Sequence, residues 1–325
     1  MANLETTYMN LKLKNPIIVG SSGLTQTVDK IKAAEKAGAG AIVVKSLFEE
    51  SMTDNEWDIM DDLRHTEEAD LASFELEKIY GTKDYIDLIQ AVKKDVKIPI
   101  IASINCTSAK WWARFAKQVE AAGADAIELN IAKVMSDLDQ SGESIEQVYV
   151  DALKSVKAEV NVPVAIKISP NFTSIPNMAY KLDNAGADAI VMFNYFTVPD
   201  IDVHKLELKT TFTFSHEGDY RIPLRWIGVL SGSLECNLSG TTGIKNYEDV
   251  LKMLLAGADT VQLASVLYQN GLGVIDEMLN NLEKWMDERN LNSLDKIRGK
   301  MAFNNIVGKN KYLWMQFMKK TTGLD

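Results

Sequence analysis

The sequence predicts an α/β protein, a (β/α)8 TIM barrel with an N-terminal hairpin and insertions at the C-terminal face of the strands. Three observations point there. An octapeptide recurs four times, at Ala37–Val44 (AGAGAIVV), Ala122–Leu129 (AGADAIEL), Ala185–Met192 (AGADAIVM) and Ala256–Leu263 (AGADTVQL). Each copy follows an amphipathic stretch, such as Trp111–Ala122 or Tyr247–Ala256, so helix and apolar strand alternate and imply a parallel sheet with helices outside. The length of 325 residues suits one decorated barrel, and no linker divides it, so residues 1–325 read as a single domain.

Within each repeat the second-position glycine suits the left-handed turn that stops a helix, and the β-branched run after it suits a buried strand. A second junction, apolar-Pro-apolar, opens strands at Ile98-Pro99-Ile100 and Val162-Pro163-Val164. The expected strands are Ile17–Gly20, Ala41–Lys45, Ile100–Asn105, Ala126–Asn130, Val164–Ser169, Ala189–Asn194, Cys236–Gly240 and Thr260–Ser265. No G-x-G-x-x-G follows the first strand, which weakens a dinucleotide-binding open sheet. Strand seven admits two readings. Ile222-Pro223-Leu224 imitates the strand-opening junction and would make Arg225–Leu230 a strand. The alternative, adopted here, makes Pro223 the first residue of a short helix ending at Gly232, with Cys236–Gly240 as the strand. The Thr/Phe-rich stretch Lys209–Phe214 looks like a hairpin. The long segments Ser46–Tyr80 and Tyr195–Arg221 follow strands, on the face where barrels carry their active sites. Helix Val274–Arg289 and the Lys/aromatic tail Lys309–Lys320 end the chain.

Composition removes several function classes. The chain is 46% hydrophobic, with 35 Lys+Arg against 45 Asp+Glu, a net charge of −10. It repels phosphate backbones and has no Lys/Arg stripe, so nucleic acid is not an expected partner. Two cysteines, Cys106 and Cys236, are too few for a disulfide framework or a cysteine-ligated cluster. His65, His204 and His216 follow no metal-ligand spacing, so no metal is expected. Met1–Asn15 has no apolar core, which argues against a leader or membrane anchor and for the cytoplasm.

The chemistry gathers at the strand C-termini: Ser21 and Ser22, Lys45 and Ser46, Ser103 and Asn105, Asn130, Lys167 and Ser169, Asn194, Ala264 and Ser265. A lysine or asparagine at the last inward position of a barrel strand is costly to bury without a partner. Either Lys45 and Lys167 pair with Glu128 or another carboxylate, or the set meets an anionic or heteroaromatic small-molecule ligand. The small turn Ser239-Gly240-Thr241-Thr242-Gly243 follows strand seven, and strands seven and eight carry the usual phosphate site of this architecture.

In order and spacing, several segments resemble the dihydroorotate dehydrogenases, especially the soluble class. They are Thr7–Pro16 (TYMNLKLKNP), Gly20-Ser21-Ser22-Gly23, Val44-Lys45-Ser46, Glu128-Leu129-Asn130-Ile131, Pro163–Asn171 (PVAIKISPN) and Ala256–Gln262. The resemblance implies an FMN-binding barrel that oxidises dihydroorotate to orotate, in pyrimidine biosynthesis, or acts on a closely related CH–CH substrate. It implies that Ser21 and Ser22 pass the flavin ring, and that Lys45 and Ser46 lie near flavin and substrate, Lys45 with a catalytic part. Ser103, Asn130 and Lys167 would contact the flavin, Lys167 at the N1/C2 carbonyl side. Thr242-Gly243 and Ala264-Ser265 stand in place of the family's Gly-Gly and Gly-Thr phosphate loops, and Asn105 and Asn194 fall at substrate positions. It further implies a homodimer and an electron acceptor that varies in the family between fumarate, quinone and a partner subunit.

The departures concern the substrate half. Where the family's loop after strand four carries a Cys or Ser base, this chain reads Asn130-Ile131-Ala132-Lys133-Val134, with Lys133 in the base's place. An ordinary lysine, with pKa about 10.4, is a poor base at neutral pH. Lys133 therefore reads either as that base or as a solvated loop charge. Cys106 does not match the base and reads as a structural thiol. The family's N-x-x-G-L-x-N loop has no counterpart, an acidic insert Glu49–Glu68 standing there instead, and Tyr195 replaces the Thr after Asn194. The alternatives are an FMN enzyme with another substrate, a flavin-binding electron carrier without dihydroorotate turnover, and a flavin-free phosphate-binding lyase or isomerase.

Overall fold

The computed structural model describes residues 2–48, 82–106, 109–131, 137–195, 199–210, 214–307 and 309. The chain opens with an antiparallel hairpin, β1 (Thr6–Tyr8) and β2 (Leu11–Leu13). Its two-residue turn, Met9-Asn10, has φ of 52° and 58°, the double left-handed geometry that matches strand twist. Asn10 tolerates that backbone readily. Met9 is held in it by its surroundings: the side chain is fully buried, and its N–H donates to Asn237 Oδ1 at 2.8 Å. Tyr8, Met9 and Leu13 pack with Ile18, Val43, Ile101, Ala126, Ala165, Ala189 and Val191, so the hairpin plugs the N-terminal end of the barrel.

The barrel strands then alternate with helices. They are β3 (Ile17–Val19), α1 (Val28–Lys36), β4 (Ala41–Val43), the short β5 (Leu47–Phe48), α2 (Thr82–Asp95), β6 (Ile100–Asn105) and α3 (Ala109–Ala121). There follow β7 (Ala126–Asn130), α4 (Gly142–Lys157), β8 (Val164–Ile168), α5 (Ile175–Asn184) and β9 (Ala189–Met192). After an inserted hairpin, β10 (Pro199–Asp202) and β11 (Glu207–Thr210), come α6 (Arg221–Leu230), β12 (Asn237–Thr241), α7 (Tyr247–Ala256) and β13 (Thr260–Leu263). The short α8 (Ser265–Asn270) and α9 (Val274–Asp287) follow. Pairing runs β4-β3-β13-β12-β9-β8-β7-β6, all parallel, and the β4–β6 pairing closes the ring of eight. Apolar outward faces of the strands meet the helices in the main core, which includes Trp112, Phe115, Tyr149 and Leu182. No helix among the described residues is long and apolar enough to cross a membrane.

The octapeptide has one job at each end. Its glycine ends the helix, with Gly38, Gly123, Gly186 and Gly257 all at φ between +92° and +116°. Its fourth residue, Asp in three copies, accepts an N–H at the start of the neighbouring strand: Asp125 from Ile100 at 2.7 Å, Asp188 from Val164 at 2.7 Å, Asp259 from Leu238 at 2.9 Å. In the first copy that position is Gly40, and a Cβ there would stand 2.3 Å from the Asn15 carbonyl oxygen. The Asn15 side chain takes the role instead, accepting Ile17 N–H at 3.0 Å.

Several sequence expectations need correction. Five strands end one or two residues early, at Val19, Val43, Ile168, Met192 and Leu263. Ser46 and Asn194, which follow two of these early ends, turn their side chains to partners across the barrel mouth. Strand seven is Asn237–Thr241, shifted by one from Cys236–Gly240, because Cys236 N–H donates to Asp183 Oδ1 on α5 before the ladder begins. Arg225–Leu230 is helical. The helix starts at Arg221 rather than Pro223, which sits in the first turn, where no intrahelical acceptor exists for the missing N–H. The hairpin spans Pro199–Thr210, earlier than Lys209–Phe214. The last helix stops at Asp287 rather than Arg289. Most of Ser46–Tyr80 and of the Lys309–Lys320 tail lies outside the described residues.

Candidate active site

Strand periodicity decides what enters the barrel. The seventh residue of each octapeptide faces the interior: Val43 and Val191 join the lumen cluster, while Glu128 and Gln262 meet inside it. Gln262 Nε2 donates to Glu128 Oε2 at 2.5 Å, and these side chains are 2% and 1% exposed. Above Ala165 on the same face of β8 stands Lys167, 9% exposed, its Nζ 3.9 Å from Glu128 Oε1.

Near the C-terminal ends of five strands a chain of hydroxyls and amides closes over this layer. Ser21 Oγ accepts Ser46 N–H at 2.8 Å and shares a hydroxyl bond with Ser46 Oγ at 3.0 Å. Ser46 Oγ bonds Ser103 Oγ at 2.8 Å and accepts Asn130 Nδ2–H at 3.3 Å, and Asn194 Nδ2 donates to Asn130 Oδ1 at 2.8 Å. The short β5, paired to the end of β6, carries the chain past Ser103 and brings Ser46 into reach. Tyr85 of α2 locks the Ser103 backbone, donating to its carbonyl at 2.8 Å and accepting its N–H at 3.0 Å. Burial pushes the Tyr85 phenol far up, so it stays neutral and can do both.

A cavity of about 290 Å³ opens beside this network, between β3, β4, β8, β9, β12 and β13. Ser21, Ser22, Lys45, Lys167 and Asn194 line one part of it, and Thr242, Gly243, Ala264 and Ser265 line the part beyond β12 and β13. Thr242 and Gly243 both have φ of 75°. Thr242 is held there by Oγ1 donating to the Phe193 carbonyl at 2.9 Å. Gly243 has no room for a side chain, since a Cβ would lie 2.4 Å from Tyr220 N. Ser22 Oγ caps a short turn by accepting Leu24 N–H at 3.3 Å, and Ser265 Oγ accepts Ser215 N–H at 3.2 Å. Their hydroxyls are therefore engaged within the chain.

Of the residues singled out in the sequence, the structure gathers Ser21, Ser22, Lys45, Ser46, Ser103, Asn130, Lys167, Asn194, Thr242, Gly243, Ala264 and Ser265 at one mouth. Asn105 ends β6 opposite Phe48, away from the cavity lining. Lys133 lies outside the described residues. Sequence reasoning missed Gln262, a polar seventh residue in an otherwise apolar repeat run, and that anomaly was the available signal. It also missed the aromatic wall of Phe214 and Tyr268, whose rings stack with centroids 5.5 Å apart and which no motif marks.

Comparison with known proteins gives this mouth a context. The family model described as dihydroorotate dehydrogenase matches residues 3–286. The dihydroorotate dehydrogenase B (NAD(+)) catalytic subunit of Thermoplasma volcanium is 26% identical over 311 residues, covering 92% of this chain and 98% of its own. That of Pyrococcus abyssi is 28% identical over 301 residues, covering 91% and 98%. The NAD-dependent dihydropyrimidine dehydrogenase subunit PreA of Escherichia coli is 26% identical over 327 residues, covering 94% of this chain and 78% of its own. With a match that runs through all eight barrel strands, the chain belongs to the dihydroorotate dehydrogenase family.

Proposed function

We propose that this chain is an FMN-dependent oxidoreductase that oxidises dihydroorotate to orotate. Family membership makes it an oxidoreductase of the dihydroorotate dehydrogenase type, acting on CH–CH groups. The observation that carries the finer reading is Lys167, an ammonium buried in the wall of a cavity at the C-terminal mouth, where the polar ends of the strands converge.

The residues fit the cofactor. Lys167 Nζ has its carboxylate at 3.9 Å, beyond hydrogen-bond distance, and Gln262 Oε1 is a buried acceptor with no partner among the described residues. A cation and an amide acceptor in one wall, with Phe214 and Tyr268 in another, suit a flat polar ring. Bound FMN would supply a ring that accepts a hydride. Lys167 would then place fixed positive charge where negative charge accumulates, with no reorganisation at the moment of transfer. Ser21, Ser22, Ser46, Ser103 and Asn130 would shape the ring's seat, and the mutual bonds of Ser21, Ser46, Ser103 and Asn130 hold it rigid. Thr242, Gly243, Ala264 and Ser265 would face the phosphate. Lys45 and Asn194 would hold the substrate, Asn105 lying away from the cavity, and Lys133 is the candidate for taking its proton. Relatives named as catalytic subunits support an electron-transfer partner; a homodimer in the cytoplasm completes the reading.

A second reading keeps FMN and changes the substrate to a dihydropyrimidine without the carboxylate. It is favoured by the equal 26% identity to the dihydropyrimidine dehydrogenase subunit and by the altered substrate half. The test is anaerobic flavin reduction by dihydroorotate and by dihydrouracil in parallel. Bleaching by dihydroorotate supports the first reading, and bleaching by dihydrouracil alone the second. Bleaching by neither leaves an electron carrier or another substrate. A lysine base makes the rate climb with pH, and Lys133→Met should abolish that climb while leaving the flavin spectrum intact.

A further inference from the structure

One buried carboxylate stands behind the cavity's cation. Glu128 is 1% exposed and sits inside the barrel on β7, below the cavity. Gln262, which holds its Oε2, comes from β13. Around the ring, β7 and β13 are separated by β8, β9 and β12 one way and by β6, β4 and β3 the other, so the bond crosses the full barrel. The other oxygen, Oε1, accepts no hydrogen bond among the described residues and stands 3.9 Å from Lys167 Nζ.

Bridging alone does not require a charge here. An amide at position 128 could accept from Gln262 equally well, and it would avoid the desolvation cost of burying a carboxylate. The charge has a use only through what faces it. Below lies the neutral Tyr8 phenol, pushed up chiefly by burial and then by Glu128's own charge, and above lies Lys167. We infer that Glu128 is a positioning residue for Lys167: Gln262 pins its carboxylate from across the barrel, and the free oxygen fixes where the ammonium sits and offsets part of its charge toward the cavity. At 3.9 Å the opposite charge is close enough, in a buried site that screens weakly, to offset much of the ammonium's field.

Resting on the FMN reading, this makes Glu128 a brake on the flavin's potential. Removing its charge leaves Lys167 an uncompensated cation beside the ring, which favours the negatively charged reduced form over the oxidised one. The experiment is a potentiometric titration of FMN-loaded parent and Glu128→Gln proteins. The expected result is at least a tenfold stronger preference for reduced FMN in the variant, a midpoint potential higher by ~30 mV or more for a two-electron couple. An unchanged or lowered potential, or loss of FMN from the variant while the parent holds it, overturns the inference. Should Glu128→Gln not fold, Glu128→Asp retracts the charge by one methylene and should shift the potential the same way by less, no shift again overturning it. If the parent itself binds no FMN, the cofactor reading fails, and a double-mutant cycle on the flavin-free protein decides this one separately. In urea unfolding, Lys167→Met should lower the folding constant at least tenfold more in the parent than in the Glu128→Gln background. Equal losses would show that the two charges are not coupled.

Discussion

At the base of the barrel and at its mouth, polar side chains meet strand ends in opposite ways. At the base, Asp125, Asp188 and Asp259 each accept an N–H from the start of the preceding barrel strand, and Lys93 and Lys157 close on the first two at 2.6 Å. These aspartates have their partners inside the chain, and the Met9–Asn237 bond seals the plug, while among the described residues the buried Tyr8 Oη and Arg298 Nε make no hydrogen bond. At the mouth the network from Ser21 to Asn194 is satisfied, but beneath and beside it Lys167, Glu128 and Gln262 carry polar atoms with no hydrogen-bond partner among the described residues. The same repeat builds both, its fourth residue at the base and its seventh in the interior. What sets the mouth apart is that Lys167 and Gln262 border the cavity, where a ligand can complete polar atoms that are costly to leave unpaired.

Substitutions at the two ends should therefore fail in different ways. The largest effect is expected at the mouth, from Gly243→Val. Its Cβ would strike the Asp219–Tyr220 backbone, and a side chain is strained at φ of 75°, so the turn must move and FMN binding should be lost. Thr242→Gly relieves a left-handed φ but deletes the bond to Phe193, and FMN affinity should stay near the parent's. Flavin fluorescence titration of both variants measures this, and equal affinities would place the phosphate elsewhere.

Next comes Lys167→Ala, which deletes the cavity's buried cation. Charge-assisted bonds contribute about 1.5–3 kcal/mol. Reduced FMN should thus lose roughly 10–100-fold in affinity relative to oxidised FMN, and the potential should fall. A variant loaded with FMN at the parent's potential would mean that Lys167 does not face the ring.

At the base the readout reverses. Asp188→Ala strands Val164 N–H and Lys157, so unfolding free energy should drop by about 1.5–3 kcal/mol while FMN affinity and potential stay unchanged. A change in potential would erase the division between the two ends.

How far these parts could be read from the sequence follows from the range of each interaction. The repeat announced the barrel because its glycine and β-branched run are local signals, and period-two reading put Lys45, Asn130 and Lys167 at strand ends. The Glu128–Gln262 bridge joins residues 134 apart and exists only once the ring has closed, so no local pattern contained it. The Tyr85 lock on Ser103 likewise depends on how α2 packs against β6. The strand bounds erred at the C-terminal ends, where side chains such as those of Ser46 and Asn194 take partners across the mouth.

The smallest effect separates the three aspartates. Among the described residues Asp259 pairs with no lysine but meets Arg298 Nε at 3.5 Å, and burial raises its carboxyl above its ordinary value. A carboxyl raised on folding stabilises most below its unfolded pKa, and that contribution is lost as pH rises through the folded value. Asp259→Asn should flatten this part of the stability profile, measured by urea unfolding from acid to neutral pH. A parallel profile in the variant would show that Asp259 does not titrate this way.

The central claim is that the mouth holds FMN, and the visible absorption spectrum of the purified protein tests it most directly, before and after incubation with FMN. A yellow protein with a flavin spectrum, bleached anaerobically by dihydroorotate, is the predicted result. A colourless protein that stays free of flavin after incubation would contradict the account.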